Sequence, residues 1–120
     1  MVDASLNKAL TRERLSYGKI AHAQEGATNM IGAYFSPVSM NAAQYEDVLR
    51  RLEAAGHGKP KGRLHHSSFG PEDHLMVFDI YDSQENFEAF GAVLMPILAE
   101  VGIDPGTPDV MPVYKVIKGD

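Results

Sequence analysis

Met76, Phe78 and Ile80 recur at every second position, with Val77, Asp79 and Tyr81 between them, and Asp82-Ser83-Gln84-Glu85 follows without a break. Period-two alternation marks a strand with two unlike faces. An Asp or Ser followed by acidic and amide residues marks a helix start. A strand that runs straight into a helix requires a layered fold, with the helix lying back across the sheet. The strand also carries an acid at its centre. Asp is depleted in strands and rarely fully buried without a partner, so Asp79 either faces solvent or lines a polar cavity.

The remaining segments read in the same way. Asn29 to Ser36 alternates, with Ile31, Ala33 and Phe35 on one face, and the strand stops at Pro37. Asn41 is placed to cap a helix, with Gln44 three residues on. Tyr45, Val48, Leu49, Leu52 and Ala55 then recur at helical spacing up to Gly56. Residues 57–62 form a loop and Arg63 to Phe69 a second strand. Gly70-Pro71-Glu72-Asp73 is turn chemistry, and a third strand is expected from His74 to Tyr81. Asp82 or Ser83 caps the second helix, whose stripe is Phe87, Phe90, Leu94, Ile97 and Val101. Pro96 is expected to kink or end it near Val93, and Gly102 closes it. Val110 to Lys118 reads as a fourth strand. Residues 1–27 stand apart, with a sparse helical stripe that fits a short helix or a mobile tail. The chain therefore divides into an extension, 1–27, and one domain, 28–120.

Strand, helix, strand, strand, helix, strand is the ferredoxin-like α+β order. It implies a four-stranded antiparallel sheet with both helices on one face. Met30, Leu64, Leu75 and Val77 are expected on the other face, where a second copy of the chain would cover them as a homodimer. A formal charge of −5 argues against a nucleic-acid surface. The chain has no Cys, which excludes disulfides, thiolate metal sites and a cysteine nucleophile. No apolar run approaches the roughly 20 residues of a membrane span, and the N-terminus has no apolar signal core. A cytoplasmic protein is expected.

The chain from about Asn29 to Lys118 resembles the dimeric α/β-barrel superfamily. Within it, the chain is similar to the small proteins grouped with antibiotic biosynthesis monooxygenases. The resemblance is carried by Gly62-Arg63-Leu64-His65-His66, by Phe78 through Glu85, by Phe90-Gly91 with Leu94-Met95-Pro96-Ile97-Leu98, and by Pro112 through Ile117. It implies two sheets face to face in a homodimer, and a small pocket between sheet and helices or at the barrel wall. Activities in the superfamily include cofactor-free monooxygenation of aromatic polyketides, haem degradation, polyketide cyclisation, lactone isomerisation and hydroxynitrile cleavage. Tyr81 stands where such relatives often carry Trp, and Tyr114 where close relatives often carry His. With no Trp in the chain, a Trp-dependent oxygenase mechanism is disfavoured.

The turn at 70–73 suggests a register. Pairing Phe69 with His74 sets His66 opposite Val77 and Leu64 opposite Asp79, so that His66 and Asp79 are diagonal neighbours on one face with Tyr81. A carboxylate can orient an imidazole, and a nearby hydroxyl can stabilise an enolate. His66 as base, Asp79 as its partner and Tyr81 as a hydroxyl form the expected catalytic group, with Tyr34 and Tyr114 as candidate substrate contacts. The alternative is a polar pair that only fixes a dimer interface.

His65 points opposite to His66, so the two cannot chelate one metal from a regular strand. No metal-binding spacing occurs elsewhere, and no metal or cofactor is expected. His74 is expected in solvent at its turn, and His22 and His57 in unremarkable positions. The 56–62 loop lacks phosphate-loop spacing. The function expected is a cofactor-independent enzyme on an apolar or aromatic carbonyl compound, monooxygenase-like or cyclase/isomerase-like. A non-catalytic ligand-binding or stress-associated homodimer is the competing expectation.

Overall fold

The structure, a computed structural model, describes residues 29–120; the expectations for 1–27, and for His22, lie outside these residues. The elements run β1 (Ile31–Phe35), α1 (Ala42–Ala54), β2 (Arg63–Phe69), β3 (Met76–Tyr81), α2 (Gln84–Val101) and β4 (Asp109–Pro112). The sheet is antiparallel with strand order β2-β3-β1-β4, the ferredoxin-like topology.

Local chemistry accounts for the helix ends. The Gln44 amide donates to the Asn41 side chain at 2.7 Å, and the Asn41 amide donates back to the Gln44 side chain at 3.0 Å. This capping box satisfies two otherwise unpaired donors. Ser83 caps α2 by accepting from the Asn86 amide at 3.1 Å. Gly102 ends α2 in the left-handed conformation, φ +89°, which costs glycine little. Of the two outcomes expected at Pro96, a kink or an end, the helix does not end there but runs on to Val101. Phe90 before it and Leu98 after it are both buried in the core, so packing supports the helix on both sides of the missing N–H.

Both helices lie on the face of the sheet that carries Ile31, Ala33 and Phe35 of β1 and Val77, Asp79 and Tyr81 of β3. Met40, Val48, Leu52, Phe90 and Leu98 complete that core. Leu75 and Val77, expected on the open face, therefore belong to the core instead. The reason is parity: Val77 must share the face of Asp79 and Tyr81, and this is the covered one. The open face carries Gly32, Tyr34, Phe69, Phe78 and Met111, with Phe69 44% and Met111 58% exposed.

β3 starts two residues later than expected, because 70–75 forms the loop. Its His74 side chain reaches the Pro37 carbonyl, Nε2 to O 3.1 Å, instead of standing free in solvent. β4 is short. Pro112 lies opposite Ile31, the first residue of β1, and beyond it the Val113 amide donates to the Met30 carbonyl at 2.9 Å. No described helix is long and apolar enough to cross a membrane.

Candidate active site

Three side chains from three elements meet beneath the helices. His66 of β2 lies directly opposite Asp79 of β3, not diagonal to it. The true register is shifted two residues from the one inferred from the turn. A two-residue shift keeps every side chain on its face, so the facing survives the error. Directly paired strand residues have Cβ atoms about 5 Å apart, a span that an imidazole and a carboxylate close. His66 Nδ1 is 2.6 Å from Asp79 Oδ1. Asp79 is buried, and the His66 side chain is 22% exposed. A carboxylate at that depth needs such a donor.

The third member is Tyr45 of α1. Its hydroxyl is 2.7 Å from His66 Nε2, and the two rings lie nearly parallel, 4° apart, at 6.0 Å between centroids. In the tautomer that donates Nδ1–H to Asp79, Nε2 holds a lone pair that accepts from the Tyr45 O–H. Sequence periodicity placed Tyr45 in the apolar stripe of its helix without marking its hydroxyl. The available signal was chemical: a tyrosine turned toward a core brings a hydroxyl that needs a partner.

These residues border a part-open cavity of about 60 Å³. Its other walls are mostly apolar, including Phe35, Val48, Leu52, Val77, Phe90 and Leu98, and Arg63 is among them. A dry cavity that holds benzene has about 150 Å³. The space beside His66 is smaller than that, and because the cavity is part-open a larger group would lie only partly within it.

The other sequence candidates lie elsewhere. Tyr34 points to the open face, where its hydroxyl meets Met76 Sδ at 3.4 Å and its ring stacks on Phe69. Alternation in β1 compels this, because Ala33 and Phe35 occupy the covered side. Tyr114 lies past the end of β4 and is 91% exposed. Tyr81 is on the correct face but is packed against the rings of Phe87 and Phe90, behind the cavity wall instead of lining it. Burial pushes its hydroxyl well above the ordinary tyrosine range. The neighbouring Asp79 charge adds to this, and Arg63 opposes it. Tyr81 stays protonated at any working pH and serves as a neutral buttress.

That shift has a consequence for stability. Below pH 10.0, the ordinary tyrosine value, the hydroxyl is neutral whether folded or unfolded. Above it, the unfolded chain loses the proton first, so the folded state binds more protons and its stability falls as pH rises. We expect alkaline titration of unfolding to show an extra slope approaching about 1.4 kcal/mol per pH unit above pH 10, absent in Tyr81→Phe. Parallel curves for the two proteins would contradict the burial of this hydroxyl.

The fold is shared with known structures. The oxygenase SnoaB from Streptomyces nogalater, described as cofactor-independent, is similar at 12% identity over 75% of this chain and 96% of that one, TM-score 0.51. A protein of Chloroflexus aurantiacus J-10-fl, provisionally termed an antibiotic biosynthesis monooxygenase, is similar at 14% identity over 74% of this chain and 97% of that one, TM-score 0.53. No protein-family model and no curated protein matches the sequence.

Proposed function

The chain has the ferredoxin-like fold of antibiotic biosynthesis monooxygenase-like structures, and we propose that it is a cofactor-independent enzyme which removes a proton from a small apolar carbonyl or phenolic head group. One observation carries this reading: the continuous hydrogen-bonded series Tyr45–His66–Asp79 beside an apolar cavity. The substrate proton passes to the Tyr45 oxygen as the Tyr45 proton passes to His66 Nε2. Tyr45 is neutral before and after the transfer. His66 becomes an imidazolium that keeps its Nδ1–H on Asp79, and the negative charge rests on the substrate as an enolate or phenolate. Such an anion is the common first intermediate of three outcomes: electron donation to O₂ in a cofactor-free oxygenase, reprotonation at another atom in an isomerase, and attack on a second carbonyl in a cyclase. The likeness to SnoaB favours the first.

The test is deuterium exchange into a panel of small enolisable ketones, 1,3-diketones and phenols, followed by NMR. Accelerated exchange at the carbon beside a carbonyl, or ortho to a phenol oxygen, is the expected result. No acceleration across the panel would contradict the reading.

We also propose that a second copy of the chain covers the open face, where Leu64, Phe69 and Met111 are exposed. Light scattering should then give twice the chain mass of 13.1 kDa. A species that keeps the single mass at micromolar concentration would contradict it.

A further inference from the structure

We propose that Arg63 is the oxyanion-binding residue of this cavity. It would confine the substrate to compounds that place negative charge on an oxygen when deprotonated, the enolisable carbonyl and phenol class. The inference rests on the proton-abstracting reading above. It adds to that reading a second group that touches the substrate.

The observation that carries it is an irregularity in β2. Arg63 lies opposite Tyr81 and His65 opposite Ile80, so Leu64 has no partner of its own across the ladder. In a regular strand, residues 63 and 66 would face opposite sides of the sheet. The extra residue at Leu64 reverses the parity between them. Arg63 therefore takes the face of Tyr81 and His66 takes the face of Asp79, which is the same covered face. The Leu64 side chain is left 58% exposed. Without the bulge, the cavity would hold either the base or the guanidinium, but not both.

The entry to this bulge is built for it. Gly62, immediately before Arg63, has φ +81°, and a Cβ there would run into the side chains of Asp82 and Asn86. Only glycine fits that position without strain. The Gly62 carbonyl accepts from the Asp82 amide at 2.8 Å, which ties the start of β2 to the end of β3.

The guanidinium is held and still available. Its central carbon stands 5.7 Å from the centroid of the Phe90 ring, a cation–π arrangement that orients its plane. Among the described residues Arg63 forms no ion pair; its polar neighbour is the neutral Tyr81 hydroxyl. No described carboxylate pairs with it, and Arg63 is one of the residues lining the cavity that His66 and Asp79 border.

The charges balance through the step. Before transfer, Arg63 and Asp79 cancel, so a neutral apolar substrate enters a site without net charge. After transfer, the new imidazolium of His66 and the new substrate anion also cancel. The anion then faces two cations and one carboxylate, and the planar fork of Arg63 is suited to a single oxygen or to the two oxygens of a 1,3-dicarbonyl.

The experiment uses the full chain with acetylacetone, a small 1,3-diketone whose enolate has its own ultraviolet band. The comparison compound is 3,3-dimethylpentane-2,4-dione, which cannot form that enolate. Wild type should bind the acetylacetone enolate and accelerate deuterium exchange at its central carbon. Arg63→Met should weaken enolate binding by about tenfold or more, as expected for a lost charge-assisted contact. Affinity for the dimethyl compound should stay within about twofold. Arg63→Lys should fall between the two proteins. If Arg63→Met does not fold, Arg63→Gln removes the charge and reads the same difference. Equal enolate affinity in wild type and the uncharged variant, with exchange retained, would overturn the role of Arg63 alone. Loss of exchange in wild type itself would overturn the proton-abstracting reading, and the role of Arg63 with it.

Discussion

Replacing His66 with Ala should lower the rate of proton abstraction by about 10²–10⁴-fold, the range for loss of a positioned base. The change removes the acceptor of the Tyr45 proton, so Tyr45 has no route to discharge what it takes from the substrate. It also takes the His66 donor from Asp79, whose side chain is 6% exposed. An unpartnered buried acceptor costs about 1–3 kcal/mol, and more if charged. At about 4–8 °C per kcal/mol for a domain of this size, the unfolding temperature should fall by roughly 10 °C. Two further measurements separate a lost base from a damaged fold. The oligomeric state should match that of the wild type, and added imidazole should enter the vacated space and restore part of the exchange rate. A variant with full exchange and full stability would show that His66 has neither role. A destabilised variant with unchanged exchange would show a purely structural pair.

Asp79→Asn should reduce the rate by about 10²–10³-fold while leaving the folded state about as stable as before. Proton transfer creates an imidazolium at His66. Opposite charges about 4 Å apart attract by about 4 kcal/mol at an effective dielectric of 20, which corresponds to about a thousandfold in rate. Asn keeps the shape and one acceptor but not the charge. In a hydrolase triad the same replacement costs about 10⁴-fold because the ring takes the wrong tautomer. The stability expectation differs because the buried carboxylate carries a desolvation cost that Asn does not, and Asn keeps an acceptor for His66 without leaving a buried charge unpaired. Equal rates in the two proteins would mean that the carboxylate does not support the base. A large loss of stability would mean that its charge is structural.

The order of elements was legible in the sequence because periodicity and caps act locally. Asn41 with Gln44, Ser83 and Gly102 each mark a helix end that their own side chains or φ angles enforce. The facing of His66, Asp79 and Tyr81 was legible for a similar reason: parity survives a register error of two residues. The length of the 70–75 loop was not. A turn sequence shows where a chain reverses, not how many residues remain unpaired around it. The bulge at Leu64 left no local mark, since it arises from fitting β2 against β3 at the Gly62–Asp82 junction. Tyr45 was hidden within its own stripe, because helical spacing does not distinguish a ring packed for its area from one packed for its hydroxyl. Tyr34 was misplaced for want of a decision about which face of β1 the helices cover. The continuation of α2 past Pro96 was not legible, because a local propensity of about 3 kcal/mol says nothing of the burial of Phe90 and Leu98 on either side.

Nitrogen NMR of the full chain with labelled histidine rings reads which nitrogen of His66 carries the proton at neutral pH. The proposed proton transfer requires the proton on Nδ1, against Asp79, and a bare Nε2 that accepts from Tyr45. That tautomer is the expected result. A dominant Nε2–H form would leave no lone pair toward Tyr45 or the cavity, and would contradict the assignment of His66 as the base.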